Sequence, residues 1–119
     1  MFKYFTDEEF KKCTPSCSIT DMDENFMLLL DELREKCGIP LVINSAYRSK
    51  EYDISKGRSG DGAHTKGKAI DLRCNDSINR HKILKNAIKL GFNRIGIANS
   101  FIHLDIDDSL VQNVCWLYS

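Results

Sequence analysis

Residues 101–106 read FIHLDI, and this alternation of side chains indicates a β-strand with two unlike faces. Successive side chains of a strand point to opposite sides of the sheet. Aspartate is disfavoured inside strands, so position 105 needs either an exposed sheet face or a functional site as its explanation. One face carries Ile102, Leu104 and Ile106, and the other carries Phe101, His103 and Asp105.

Two further predicted strands repeat this division between an apolar and a polar face. They cover residues 68–73 and 94–98, and a tight turn at Asn99 and Ser100 joins the second of them to residues 101–106. The sequence therefore predicts a sheet that buries one face and places its ionisable groups on the other. The apolar face continues through Ile70, Leu72, Ile95 and Ile97, and the polar face through Ala69, Asp71 and Gly96.

Three amphipathic helices are predicted to cover the apolar face of this sheet. The first is short and begins at Thr6, which forms a capping box with Glu9. The second is predicted over residues 21–37 and the third over residues 77–90. Each of these two ends at a glycine, as helices commonly do.

The remaining segments complete an α+β prediction. Residues 41–46 alternate as a strand, and the glycine-rich residues 47–67 are predicted to form a long loop. We therefore expect an α+β fold in one domain over residues 1–119. Its sheet is small and mainly antiparallel, with helices on one face and the functional site on the other.

Composition and charge exclude several classes of protein. The 119 residues carry 17 basic and 17 acidic side chains, so a protein that binds nucleic acid by neutralising phosphates is not expected. No apolar run is long enough to span a bilayer, and acidic residues precede any apolar stretch at the N-terminus. We expect a monomer without a signal peptide that is made in the cytoplasm.

The five cysteines fit a chain with free thiols. An odd number cannot pair completely within one chain, and a reducing compartment is the default without an export signal. Cys13 and Cys17 have a spacing that could supply half a zinc site, but no second close pair completes it. Cys37 and Cys115 have apolar neighbours and are predicted to be small core residues.

The polar face gathers three candidate metal ligands, His64, Asp71 and His103. Two imidazoles and one carboxylate with an open fourth position form a ligand set that suits catalytic zinc. His81 lies early in a helix between basic residues and is interpreted as an ordinary surface histidine. A sheet face that is merely solvated would also explain charged residues within strands, and this alternative stays open at this point.

Three segments resemble the zinc D-alanyl-D-alanine carboxypeptidases and their phage endolysin relatives, a group that also includes lysostaphin-type enzymes and the hedgehog domain. HTKGKAID at residues 64–71 matches the signature H-x-x-G-x-A-x-D. FIHLD at residues 101–105 resembles the closing H-x-D segment. SAYRS at residues 45–49, with Tyr52 shortly after, is similar to the upstream S-x-Y-R-S segment.

The resemblance implies a zinc peptidase that acts on peptidoglycan stem peptides or their cross-links. It implies that a zinc ion is held by the two histidines and Asp71, and that Arg48 and Tyr52 bind the substrate. Arg48 would bind a carboxylate or polarise the scissile carbonyl. Many relatives have a glutamate as general base where this chain has Ser100, so Asp105 is predicted to be the base or to orient a metal ligand.

Three functions are therefore compared. The first is a cell-wall carboxypeptidase or endopeptidase, acting as an endolysin does after release from the cytoplasm of a phage-infected or bacterial cell. The second is a metal-binding module of the same fold that has lost catalysis, which Ser100 favours and Arg48 and Asp105 disfavour. The third is a small α+β binding domain without a metal.

Overall fold

A five-stranded sheet lies beside four helices in the computed structural model, which describes residues 2–118. Short 3-10 turns at Ile19–Asp21 and Ala63–Lys66 connect the longer elements. The helices are α1 (Asp7–Lys11), α2 (Glu24–Cys37), α3 (Lys50–Ser55) and α4 (Ser77–Leu90). The strands are β1 (Ile43–Ser45), β2 (Ala69–Arg73), β3 (Arg94–Ile97), β4 (Phe101–Asp105) and β5 (Val114–Leu117).

The sheet is antiparallel except at one edge. The strand order is β1-β2-β4-β3-β5, and only β5 runs parallel to its neighbour, β3. The central strand β4 pairs His103 with Asp71 on one side and with Gly96 on the other. The predicted α+β class and the mainly antiparallel sheet are confirmed.

The apolar face of the sheet forms the core together with α2 and α4. The rings of Phe26 and Phe92 meet edge to face there, with 5.9 Å between their centres. Ile97 and Ile106 lie at the margin of the core and are half-buried. Five side chains of β2, β3 and β4 are each at most 1% exposed, namely Ile70, Leu72, Ile95, Ile102 and Leu104.

Capping residues fix where the helices begin. The predicted capping box of Thr6 and Glu9 is present at α1. Helix α2 begins at Glu24 rather than at residue 21, because Asp23 accepts a hydrogen bond from the backbone N–H of Phe26 and so caps the helix there. Residues just before it form the separate turn Ile19–Asp21.

Two further sequence predictions are wrong, and one strand was missed. Residues 47–67 are not one long loop, since they contain α3, capped by Ser49, and the turn Ala63–Lys66. Strand β5 was not predicted at all. Cys115 is exposed rather than buried, because it lies on the outward side of this edge strand, whereas Cys37 is buried as predicted.

Within residues 2–118, no helix combines the length and apolar content that crossing a membrane requires. All five cysteines are free thiols in the structure.

Gly67 permits a close approach that supports the functional site. Its φ of +70° is left-handed, and a Cβ atom there would lie 2.5 Å from the carbonyl oxygen of Asp21. Its own carbonyl accepts a hydrogen bond from the N–H of Asp23, at 2.9 Å. The turn that carries His64 is therefore docked on the start of α2.

We expect Gly67→Ala to lower the free energy of unfolding by about 2–4 kcal/mol, because it adds a backbone clash to the left-handed strain. Gly57→Ala is the matched control. Its φ is +81° and a Cβ atom there meets nothing within 4 Å, so only the strain of about 1 kcal/mol should remain. Urea unfolding monitored by circular dichroism measures the free energy of unfolding of both variants. Equal losses in the two variants would contradict the docking role of Gly67.

Candidate metal centre

Three elements bring the predicted ligands together. His64 lies on the turn Ala63–Lys66, Asp71 in the middle of β2, and His103 in the middle of β4. The distances are 3.3 Å from His64 Nε2 to His103 Nδ1, 3.0 Å from His103 Nδ1 to Asp71 Oδ1, and 3.4 Å from His64 Nε2 to Asp71 Oδ1. The three residues form the group that could hold a metal ion within the described chain.

The second nitrogen of each imidazole is held by an acceptor behind it. His64 Nδ1 lies 2.6 Å from the carbonyl oxygen of Ala46, and His103 Nε2 lies 2.7 Å from Asp105 Oδ2. Each of these nitrogens therefore carries a proton and donates it. The facing atoms, His64 Nε2 and His103 Nδ1, are left with lone pairs that point at each other and at Asp71.

This geometry fits a tetrahedral cation. An ion with bond lengths of about 2.0–2.1 Å separates neighbouring ligand atoms by roughly 3.3 Å, which agrees with the three distances. Three lone pairs this close repel one another unless a positive charge lies between them. Two nitrogens and one carboxylate oxygen are also the donor atoms that zinc takes in catalytic sites.

Electrostatics also favour positive charge at this point. Burial disfavours the imidazolium of His103, but the carboxylates of Asp105 and Asp71 outweigh it and raise the pKa of His103. Burial likewise opposes ionisation of Asp71, yet the adjacent imidazoles of His103 and His64 lower the pKa of that carboxyl group. Either a proton or a metal cation between these side chains would supply the positive charge that the two carboxylates favour.

Asp105 is placed behind His103. Its side chain is 1% exposed, and Oδ1 accepts hydrogen bonds from Arg94 Nε at 2.8 Å and from the N–H of Asp107 at 3.1 Å. Both carboxylate oxygens are thus occupied, one by His103 and one by these donors. Of the two predicted roles, this arrangement fits the group that orients a ligand.

Arg48 lines an open cavity of about 540 Å³ in front of the three ligands. Its backbone N–H donates to the carbonyl oxygen of His64, which ties the two segments together. Its Nε lies 3.5 Å from Asp53 Oδ1, and neither atom has a hydrogen-bond partner among residues 2–118. Burial, reinforced by the charge of Arg58, lowers the pKa of the Arg48 guanidinium.

The other residues singled out by the sequence lie in different positions. Tyr52 is on α3 under the ammonium group of Lys56, 5.5 Å away, and does not line the cavity. Its role in binding substrate stays a prediction. Ser100 is exposed at the turn between β3 and β4.

Aromatic residues on β5 complete the cavity wall, and the sequence analysis missed them. The rings of Trp116 and His103 are 5.4 Å apart between centres, and the Arg94 guanidinium lies 5.1 Å from the centre of the Trp116 ring. Gly96 makes this possible, because a Cβ atom there would lie 2.6 Å from Trp116 Nε1. The alternation of Trp116 and Tyr118 was the available signal.

The polar face of the sheet is buried rather than solvated. His103 is 6% exposed and Asp105 is 1% exposed. The hypothesis of a solvated face therefore does not explain these residues.

Comparison with known families identifies the group to which this site belongs. The profile of the family Peptidase M15 matches residues 3–105, most of the sequence. The chain belongs to the peptidase M15 family. Members of this family are zinc-dependent peptidases, with peptidoglycan as the substrate at the family level. No curated protein matches the chain. The matched residues end at Asp105, so β5 and Trp116 lie outside the match.

We expect Asp105→Asn to weaken zinc binding by this M15 chain about 10- to 100-fold. The amide has one oxygen, so either His103 or Arg94 must face an N–H donor instead of an acceptor. Competition with a chromophoric chelator measures the affinity. The matched control is Asp108→Asn, at an exposed neighbouring aspartate. An unchanged affinity in Asp105→Asn would contradict the orienting role.

Proposed function

We propose that the chain is a zinc metallopeptidase that hydrolyses peptide bonds in peptidoglycan stem peptides or cross-links. The observation that carries the proposal is the convergence of His64, Asp71 and His103 at distances of 3.0–3.4 Å on the wall of an open cavity. We propose further, from the resemblance to endolysins, that the protein acts on the wall after its release from the cytoplasm.

We propose His64 Nε2, His103 Nδ1 and Asp71 Oδ1 as the zinc ligands. The Ala46 carbonyl and the Asp105 carboxylate keep the two imidazoles in the required tautomer and orientation. When bound, zinc acts as a Lewis acid and lowers the pKa of a water molecule to about 7, which supplies a nucleophile at neutral pH.

Arg48 is the residue we propose for binding the peptide. A guanidinium offers a fixed fork of donors to a carboxylate or to the oxygen of a reacting carbonyl. Arg48 lines the cavity beside the proposed ligands, and its Nε has no hydrogen-bond partner in residues 2–118. Trp116 and Tyr118 also line the cavity and offer apolar surface to the substrate.

One observation favours the second candidate, a zinc-binding module without catalysis. Hydrolysis needs a group that accepts a proton and returns it to the leaving amine. Ser100 cannot do this at neutral pH, and Asp105 would have to give up His103 or Arg94 to do so. The two candidates share the metal site and differ only in turnover.

Digestion of purified peptidoglycan decides between them. The zinc-loaded chain should release new peptide fragments, detected by mass spectrometry, and a chelator should abolish their release. His103→Ala should reduce the rate at least 10³-fold through loss of the metal, whereas His81→Ala, at an exposed position on α4, should retain it. Zinc binding without any new fragment would contradict the peptidase and favour the binding module.

A further inference from the structure

A second cavity adjoins the metal centre on the side of β1. It has a volume of about 390 Å³ and lies next to the first cavity, since Asp71 and Phe101 line both. The candidate ligand Asp71 therefore lies between two cavities, and the first of them is also lined by Arg48 and Arg58. The other residues that line the second cavity are Lys12, Thr14, Ile43, Asn44 and Ser45.

Ser45 contributes a polar side chain to the lining of the second cavity. It is the partner of Asp71 in the pairing of β1 with β2, and it is 7% exposed. Its hydroxyl oxygen is buried and has no hydrogen-bond partner in the part of the chain that is described. A buried hydroxyl without a hydrogen bond costs about 1–3 kcal/mol of stability. A bound molecule that forms a hydrogen bond with Ser45 would remove this cost.

Lys12 gives the second cavity a positive charge. Its ammonium group forms no ion pair with any carboxylate of residues 2–118, whereas its neighbour Lys11 pairs with Asp7. Asn44 is exposed beside it and offers both amide donors and a carbonyl acceptor. The lining is thus suited to a peptide segment that carries a carboxylate.

The charges in the first cavity are partly compensated within the protein. Asp53 Oδ1 lies 3.5 Å from Arg48 Nε and 3.8 Å from Arg58 Nη1. An enzyme that removes one terminal residue needs a cation for the terminal carboxylate and a wall that stops the chain beyond it. Here Arg48 and Arg58 both lie near the Asp53 carboxylate, and the second cavity leaves open space on the other side of Asp71.

We propose that Lys12, Asn44 and Ser45 form a second peptide-binding subsite, so that the substrate extends on both sides of the scissile bond. This inference rests on the proposed function and makes the enzyme an endopeptidase. Hydrolysis of an internal amide adds the hydroxyl of water to the carbonyl carbon and the remaining proton to the leaving nitrogen. Both products are then peptides, and no free amino acid is released.

The test uses the zinc-loaded chain and a synthetic stem peptide cross-linked to a second one. Mass spectrometry should show internal cleavage. Lys12→Glu and Ser45→Ala should each lower kcat/KM about three- to tenfold, and the effect of Lys12→Glu should shrink at high salt. Lys85→Glu, an equal charge change at an exposed position on α4, is the control and should leave kcat/KM unchanged.

The outcomes separate this inference from the proposed function. Release of terminal D-alanine alone would overturn the subsite and leave the peptidase standing, as would internal cleavage that neither variant affects. If the zinc-loaded chain hydrolyses nothing, the proposed function fails, and calorimetry of the uncleaved peptide then tests the subsite. Three- to tenfold weaker binding by the two variants would support it, and unchanged binding would overturn it.

Discussion

The antiparallel register between β2 and β4 places Asp71 opposite His103, and the candidate metal centre depends on this pairing. A shift of one residue would turn His103 into the apolar core and Leu104 toward the cavity, because side chains alternate along a strand. The apolar face opposes such a shift. Ile70, Leu72 and Ile102 are fully buried only in the observed register, so the packing of the core also holds the ligands in place.

Burying two imidazoles and two carboxylates on the other face is costly unless each polar atom has a partner. A chain of contacts offsets most of this cost. His103 donates to Asp105, which also accepts from Arg94, and Arg94 lies over the ring of Trp116. This network leaves three lone pairs without a partner, on His64, His103 and Asp71. A cation between these three side chains would bind them. Protein stability and metal binding are therefore linked at the same atoms.

The sequence predicted the parts of this arrangement that depend on local periodicity. Alternation along residues 68–73, 94–98 and 101–106 was enough to assign three strands and the faces of Asp71 and His103. The prediction missed β5, which pairs in parallel with β3, so that its position is set by contacts distant in sequence. Cys115 was misplaced for the same reason, since its apolar neighbours belong to an edge strand.

The segment between residues 47 and 67 shows a second limit of sequence analysis. Its glycines and charges are typical of a loop, yet six of its residues form α3. This helix is too short to show an apolar stripe, and it is stabilised by the Ser49 cap and by Asp53, which accepts from the N–H of Gly60. The burial of Asp53 beside Arg48, which shapes the cavity, follows from this fold and not from any pattern in the sequence.

The central claim is that one zinc ion binds between two imidazoles and a carboxylate. An anomalous difference map, collected at the zinc absorption edge from crystals of the zinc-loaded chain, tests it most directly. We predict one peak about 2.0–2.2 Å from His64 Nε2, His103 Nδ1 and Asp71 Oδ1. No peak at that position, or a peak held by Cys13 and Cys17 instead, would contradict it.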